Sequence, residues 1–210
     1  MASNYANIKM LTEMYEAVKA FWVKFEMPIK ASLNDLNAAN AKLSANLIRE
    51  EMQEFIDAKE EVDQLDAIVD WLYVSFGGML GSGLNERQFD FVRLHEQRGM
   101  LELSSSVIHA FEKRPLPCCA TIQMRLPELC AALLVYGMKT WHNFDVAWAM
   151  VHDKNMSKVW TPDEVAPIRA DRDFRIKCVT PNEYIVWRKS DGKLLKPPSF
   201  QPADLRPFLA

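Results

Sequence analysis

Acidic side chains spaced by one helical turn are the first chemistry visible in this 210-residue chain. Glu51 and Glu54 fall within Leu-Ile-Arg-Glu-Glu-Met-Gln-Glu-Phe-Ile-Asp-Ala at 47–58. Asp66 and Asp70 fall within Asp-Ala-Ile-Val-Asp-Trp-Leu-Tyr at 66–73. On a helical repeat each pair shares a face, and Tyr73 joins Asp66 and Asp70. These carboxylates are not opposite the apolar stripes: Glu51 follows Leu47 by one turn, Glu54 neighbours Phe55, and the two aspartates adjoin Leu65 and Val69. Two antiparallel helices packed through those apolar residues point four carboxylates at one another. Like charges held so closely are costly without a cation, and oxygen-only donors select Mg²⁺ or Mn²⁺ rather than zinc. Two helices with solvated acidic edges is the other reading, and at this level both stand.

The elements that must hold these groups are legible from apolar spacing. Leu43, Leu47, Ile48, Met52, Phe55 and Ile56, then Leu65, Ile68, Val69, Leu72 and Phe76, predict two helices without Pro or Gly until Gly77-Gly78. Lys59, Glu60, Glu61 and Asp63 read as a charged turn between them. A first helix is predicted over 5–27, ending before Pro28. In the connection 28–40, Asn34, Asp35 and Asn37 read first as turn and cap residues. Gly77 to Gly83 follows a helix rather than a strand and lacks a Gly-Lys-Ser/Thr ending, so it is not a phosphate loop. It reads as small residues that allow close packing and then stop the helix.

Helical patterns recur over 89–111, about 119–139 and 144–157, the last capped by Asn143 or Asp145. Lys113 to Pro117 separates the first two, and Pro127 starts or kinks the second. Pro162 and Pro167 are expected to end helical structure, and residues 176–188 suggest a short hairpin or extended tail. His95 and His109 read as surface or core residues rather than ligands.

The composition, 49% hydrophobic and 25% charged, is that of a globular chain, and a net charge of −3 gives no case for nucleic-acid binding. No apolar run approaches the ~20 residues that span a bilayer. Met-Ala-Ser-Asn-Tyr-Ala-Asn at the start has no basic-then-apolar pattern, so the expectation is a cytoplasmic protein without a signal peptide. Cys118, Cys119, Cys130 and Cys178 fit neither a zinc site nor a disulfide framework; reduced thiols are expected, with Cys118-Cys119 packing at a helix start.

Arg49-Glu50-Glu51-x-x-Glu54-Phe55 followed by Asp66-Ala67-Ile68-x-Asp70-x-Leu72-Tyr73 resembles the signature of the all-α nucleoside triphosphate pyrophosphohydrolases. This is the MazG-like superfamily, and within it the phosphoribosyl-ATP pyrophosphohydrolase-like branch of bacteria and phages. Val151-His152-Asp153-Lys154-Asn155-Met156-Ser157-Lys158 and Asp191-Gly192-Lys193-Leu194-Leu195-Lys196-Pro197-Pro198 resemble two further blocks of the family. Together they cover roughly 8–82 and 144–209.

The resemblance implies an all-α, MazG-like bundle as one domain over 1–210, with an inserted helix pair in 84–143 and a short extended C-terminal tail. It implies cleavage of a (d)NTP between the α and β phosphates, giving the monophosphate and pyrophosphate. Deoxynucleotide pool control is the default role, with dGTP and dUTP among candidate substrates. Glu51 and Glu54 with Asp70 would hold Mg²⁺, which Mn²⁺ can replace. The family's usual Glu-x-x-Asp spelling would place Glu at 67, where this chain has Ala67; Asp66, one residue earlier, stands one turn from Asp70. Glu50 would bind a second metal or take a proton from the attacking water. Lys158 and Asn155 would meet phosphate oxygens, Lys193 and Lys196 would close over the substrate or form a solvated basic end, and Arg49 and Tyr73 would contact phosphate or brace the helices. A homodimer or homotetramer is implied. Phosphoribosyl-ATP hydrolysis and a non-catalytic helical binding module are the alternatives.

Overall fold

A computed structural model describes residues 2–92, 99–113 and 117–209, with side chains from residue 7 onward. The chain is mostly helical, with one two-stranded sheet among the described residues. No helix among them is long and apolar enough to cross a membrane. It divides into two compact units, one holding the residues up to Trp148 and those from Asp204 onward, the other Ala149–Ala203.

In the first unit, helix α1 (Ala2–Lys24) buries Leu11, Met14, Tyr15, Val18 and Phe21 at helical spacing. Asn37 caps α2 (Ala38–Asp57) by accepting from the Asn40 N–H at 2.9 Å, and Asp35 accepts from the Ser32 N–H at 3.0 Å. Both therefore work as local turn and cap residues, as their types predict. Ala58–Glu60 then reverses the chain into α3 (Glu61–Gly81). The two helices form an αα-hairpin, which is what so short a connection requires.

The α2 core face differs from the expected apolar stripe. Ala41, Ala45 and Ile48 are fully buried, whereas Leu43, Leu47, Met52 and Phe55 are only half-buried and Ile56 is exposed. Small residues bring the α2 backbone close to its neighbours, so the larger side chains splay to the flanks. Helix α3 is buried on nearly every side from Leu65 onward. Gly77 and Gly81 lie against the Trp22 ring, where an added Cβ would come within 3.0 and 3.2 Å. Helix α3 ends in a Schellman turn: Gly83, at φ 72°, donates to Leu80 O at 3.2 Å and Leu84 donates to Met79 O at 2.9 Å. The Tyr15 hydroxyl donates to Leu84 O at 2.9 Å, and burial pushes this phenol above its ordinary pKa.

Residues 84–143 belong to the first unit. A 3-10 turn covers Glu86–Phe91, helix α4 is Met100–Glu112 and helix α5 is Cys119–Thr140. The continuous helix expected over 89–111 is thus a turn and a later helix at its ends; its middle, with His95, and the break at 114–116 lie outside the described residues. Helix α4 packs on α2 and α5, and α5 also packs on α3. Pro127 neither starts nor ends α5 but lies buried inside it. Cys118 caps α5 and Cys119 is its first residue, while Cys130 is wholly buried with its Sγ 3.8 Å from Met79 Sδ. All four thiols are free, Cys178 being the exposed one.

Helix α6 (Phe144–Met156) contributes Phe144, Ala147 and Trp148 to the first unit; the second begins at Ala149. In the second unit Pro162 opens a short helix, α7 (Pro162–Val165), rather than ending helical structure. The first helical position needs no N–H, and the capping box of Thr161 and Glu164 closes that turn. The hairpin pairs β1 (Phe174–Thr180) antiparallel with β2 (Glu183–Arg188). Trp160, Val165 and Val186 form the core, packed by Ile168, Phe174, Ile176, Tyr184 and Leu195. Asp191-Gly192 turns the chain back: Gly192 takes φ 76°, the Asp191 carboxylate accepts from the Lys193 N–H at 3.0 Å, and Leu195 N donates to Val186 O at 2.9 Å. The tail is thereby tied to β2.

Candidate active site

The α2–α3 hairpin opens an acidic groove of about 930 Å³ along its connection. From α2 it is lined by Arg49, Glu50, Gln53, Glu54 and Asp57, and from α3 by Asp63, Asp66 and Ala67, with Ala58, Lys59 and Glu60 closing the turn. Glu50, Glu54 and Asp57 recur along one face of α2 by helix geometry, and Asp63 and Asp66 do so on α3. Glu54, Asp57, Asp63 and Asp66 are exposed, so the groove is wet and their charges coexist in water at modest cost.

The groove gathers Glu50, Glu54, Asp66 and Arg49 from the residues named above. Glu51 and Asp70, on the same helices, are half-buried and are not among its lining residues; Tyr73 is buried, edge-on to Phe21 at 5.4 Å and tilted 6.1 Å from Trp148. Arg49 does brace elements: its Nη2 donates to Glu112 Oε1 of α4 at 2.6 Å and its Nη1 to Asn46 Oδ1 at 3.2 Å. Both partners of the ion pair are over two-fifths exposed, so the pair contributes orientation more than stability.

The donors are carboxylate oxygens alone, the chemistry that suits a hard divalent ion. Among the described residues, however, no three acidic, histidine or cysteine side chains stand close enough together to form a ready-made metal cage. The donor types fit Mg²⁺; gathering them needs side-chain rotation on two helices that are already side by side.

In the second unit, Asn155 is buried and its carbonyl accepts from the Lys158 N–H at 3.2 Å. Lys193 donates its backbone N–H to Asp191 and offers its carbonyl to Arg188 N at 2.9 Å. Lys158 and Lys196 both reach the ring of Phe200. Burial lowers the pKa of His152 despite the opposing charge of Asp153.

Sequence reasoning did not single out Gln53 or Asp57 as groove residues, and it assigned Lys59, Glu60 and Asp63 to a solvated turn. Asp57 was accessible, since it extends the Glu50–Glu54 face by one turn. Glu112 and Phe200 were not: only the tertiary fold brings them to Arg49 and to the lysines.

Residues 18–93, just over a third of the chain and including all of α2 and α3, match the family model for phosphoribosyl-ATP pyrophosphohydrolase. No curated protein and no solved structure matches the chain.

Proposed function

We propose that this protein is a Mg²⁺-dependent nucleoside triphosphate pyrophosphohydrolase, cleaving a (d)NTP between the α and β phosphates. The observation that carries this reading is the convergence of carboxylates from α2 and α3 on one groove within the family-matched segment. Glu54 and Asp66, with Glu51 and Asp70 after rotation toward the groove, are the residues to hold the metal. When bound, Mg²⁺ supplies charge neutralisation on the phosphates and acidifies a coordinated water. Glu50 lies on the groove wall and is the group to take that water's proton; a carboxylate suffices as base when the water is already acidified. Arg49, fixed by Glu112, places a planar guanidinium at the rim, suited to a phosphate oxygen. The protein is proposed to act in the cytoplasm as a homodimer or homotetramer.

Phosphoribosyl-ATP is the second substrate reading, favoured by the matched family itself. The deciding experiment is product analysis with Mg²⁺ over the canonical dNTPs, dUTP, the ribonucleotides and phosphoribosyl-ATP, resolving pyrophosphate from orthophosphate. Pyrophosphate plus a deoxynucleoside monophosphate supports the first reading; turnover of phosphoribosyl-ATP alone selects the second; orthophosphate, or no product, removes both.

A further inference from the structure

A cavity of about 400 Å³ lies wholly within the second unit and shares no residue with the carboxylate groove. It is lined by Arg169, Phe174, Ile176, Cys178 and Tyr184. Alternation along β1 puts Phe174, Ile176 and Cys178 on one face of the hairpin, and the register sets Tyr184 of β2 opposite Cys178. The walls are therefore two rings, a branched alkyl chain and a sulfur, apolar or weakly polar. The Cys178 thiol donates to Thr180 O at 3.0 Å, so its proton is taken up by backbone. What remains is one polar corner. There Arg169 Nη2 donates to the Tyr184 hydroxyl at 3.2 Å, with the guanidinium carbon 5.5 Å from the ring centroid.

Backbone holds both residues of that corner. Besides its place in the hairpin, Tyr184 exchanges two backbone hydrogen bonds with Trp160, each of 2.8 Å. Arg169 ends the turn Ala166–Ile168, which Ile168 anchors on the core of Trp160, Val165 and Val186. Asp171 N closes that turn by donating to Ile168 O at 3.0 Å. The Tyr184 hydroxyl accepts from Arg169, and among the described residues its own proton meets no acceptor; Arg169 likewise has no carboxylate partner among them. A fork of guanidinium N–H groups beside a phenol O–H suits an oxyanion. One guanidinium balances one negative charge. A carboxylate matches it in charge and in planar two-oxygen geometry, whereas a phosphate monoester brings further charge that the lining does not meet. The two ring walls suit an aromatic body, and the volume is at the lower end for small-molecule sites.

We propose that this cavity binds a small aromatic monocarboxylate, with its carboxylate on Arg169 and Tyr184 and its ring against Phe174 and Tyr184. The site is read by binding and stands or falls whatever the chain hydrolyses.

The test is calorimetric titration of the full chain with phenylacetate, without nucleotide or divalent metal. Saturable one-to-one binding is expected, with acetate, which lacks the ring, and 2-phenylethanol, which lacks the charge, each weaker by about tenfold or more. Arg169→Gln is expected to weaken phenylacetate binding about tenfold or more, and Tyr184→Phe about threefold to tenfold. Arg169 is exposed and Tyr184→Phe keeps the ring, so neither change threatens folding, which circular dichroism checks. Cys178 gives a second readout, since a ligand in the cavity covers its sulfur. Saturating phenylacetate is expected to slow alkylation of Cys178 by N-ethylmaleimide about threefold or more in wild type and not in Arg169→Gln, read by mass spectrometry. No saturable binding by wild type, 2-phenylethanol binding as tightly as phenylacetate, or unchanged affinity in either folded variant overturns the proposal. Tighter binding of phenyl phosphate than of phenylacetate overturns the carboxylate assignment, and binding that leaves Cys178 unprotected overturns the location.

Discussion

Glu54 lines the groove from α2, and Asp70 lies half-buried on α3, one turn beyond Asp66. If they hold the metal, neutralising either removes one donor charge and several kcal/mol of transition-state stabilisation, about a thousandfold in rate. Steady-state kinetics of Glu54→Gln and Asp70→Asn, with circular dichroism unchanged, is the check; wild-type kcat in both would remove the metal assignment. Gly83 answers to a different constraint. Its φ of 72° is strained for any other residue, and an added Cβ would sit 2.5 Å from the Ser32 backbone. Gly83→Ala is expected to cost about 3 kcal/mol, a fall of roughly 10 °C in Tm by calorimetry. A change under about 1 kcal/mol would mean the Schellman turn can be rebuilt without its glycine.

Among the elements, the α2–α3 hairpin was legible because its apolar spacing is helical and nothing breaks it before Gly77. The assignment of faces was less so: Ala41 and Ala45 carry the buried seam, and a reading weighted toward large apolar residues favours Leu43 and Leu47 instead. Pro162 shows a similar gap, since Pro starts a helix as readily as it stops one, and Thr161 with Glu164 decides between them. The carboxylate spacing could be read along each helix, but which carboxylates face a common groove depends on helix rotation, which spacing leaves open. The capping box also carries a pH dependence. Glu164 titrates near 2 in the folded chain against an ordinary 4.5, so its stabilisation is complete above 4.5 and is lost as pH falls toward 2. Glu164→Gln is therefore expected to destabilise the second unit at neutral pH, with the difference from wild type shrinking through that window. Denaturant melts of both proteins at several pH values test this, and a difference independent of pH would refute it.

At the scale of the whole molecule, the chain is two compact units with separate cores, and the helices of 84–143 are built into the first of them. Phe91 is 81% exposed, and Leu101, Met124 and Val146 also show substantial apolar surface on that unit. Such surface is affordable in an assembly. Sedimentation velocity at micromolar concentration is expected to give twice or four times the single-chain mass; a monomer there would remove the proposed oligomer.

The four thiols give the chain an internal clock. Cys178 is open to solvent and Cys118 and Cys119 are partly so, while Cys130 is sealed in the first unit and burial raises its pKa. An alkylating reagent should therefore mark the first three while the protein remains native, and Cys130 only when the first unit opens. The interval between the third and fourth mass increments then measures how often that unit opens under native conditions, with no engineered label.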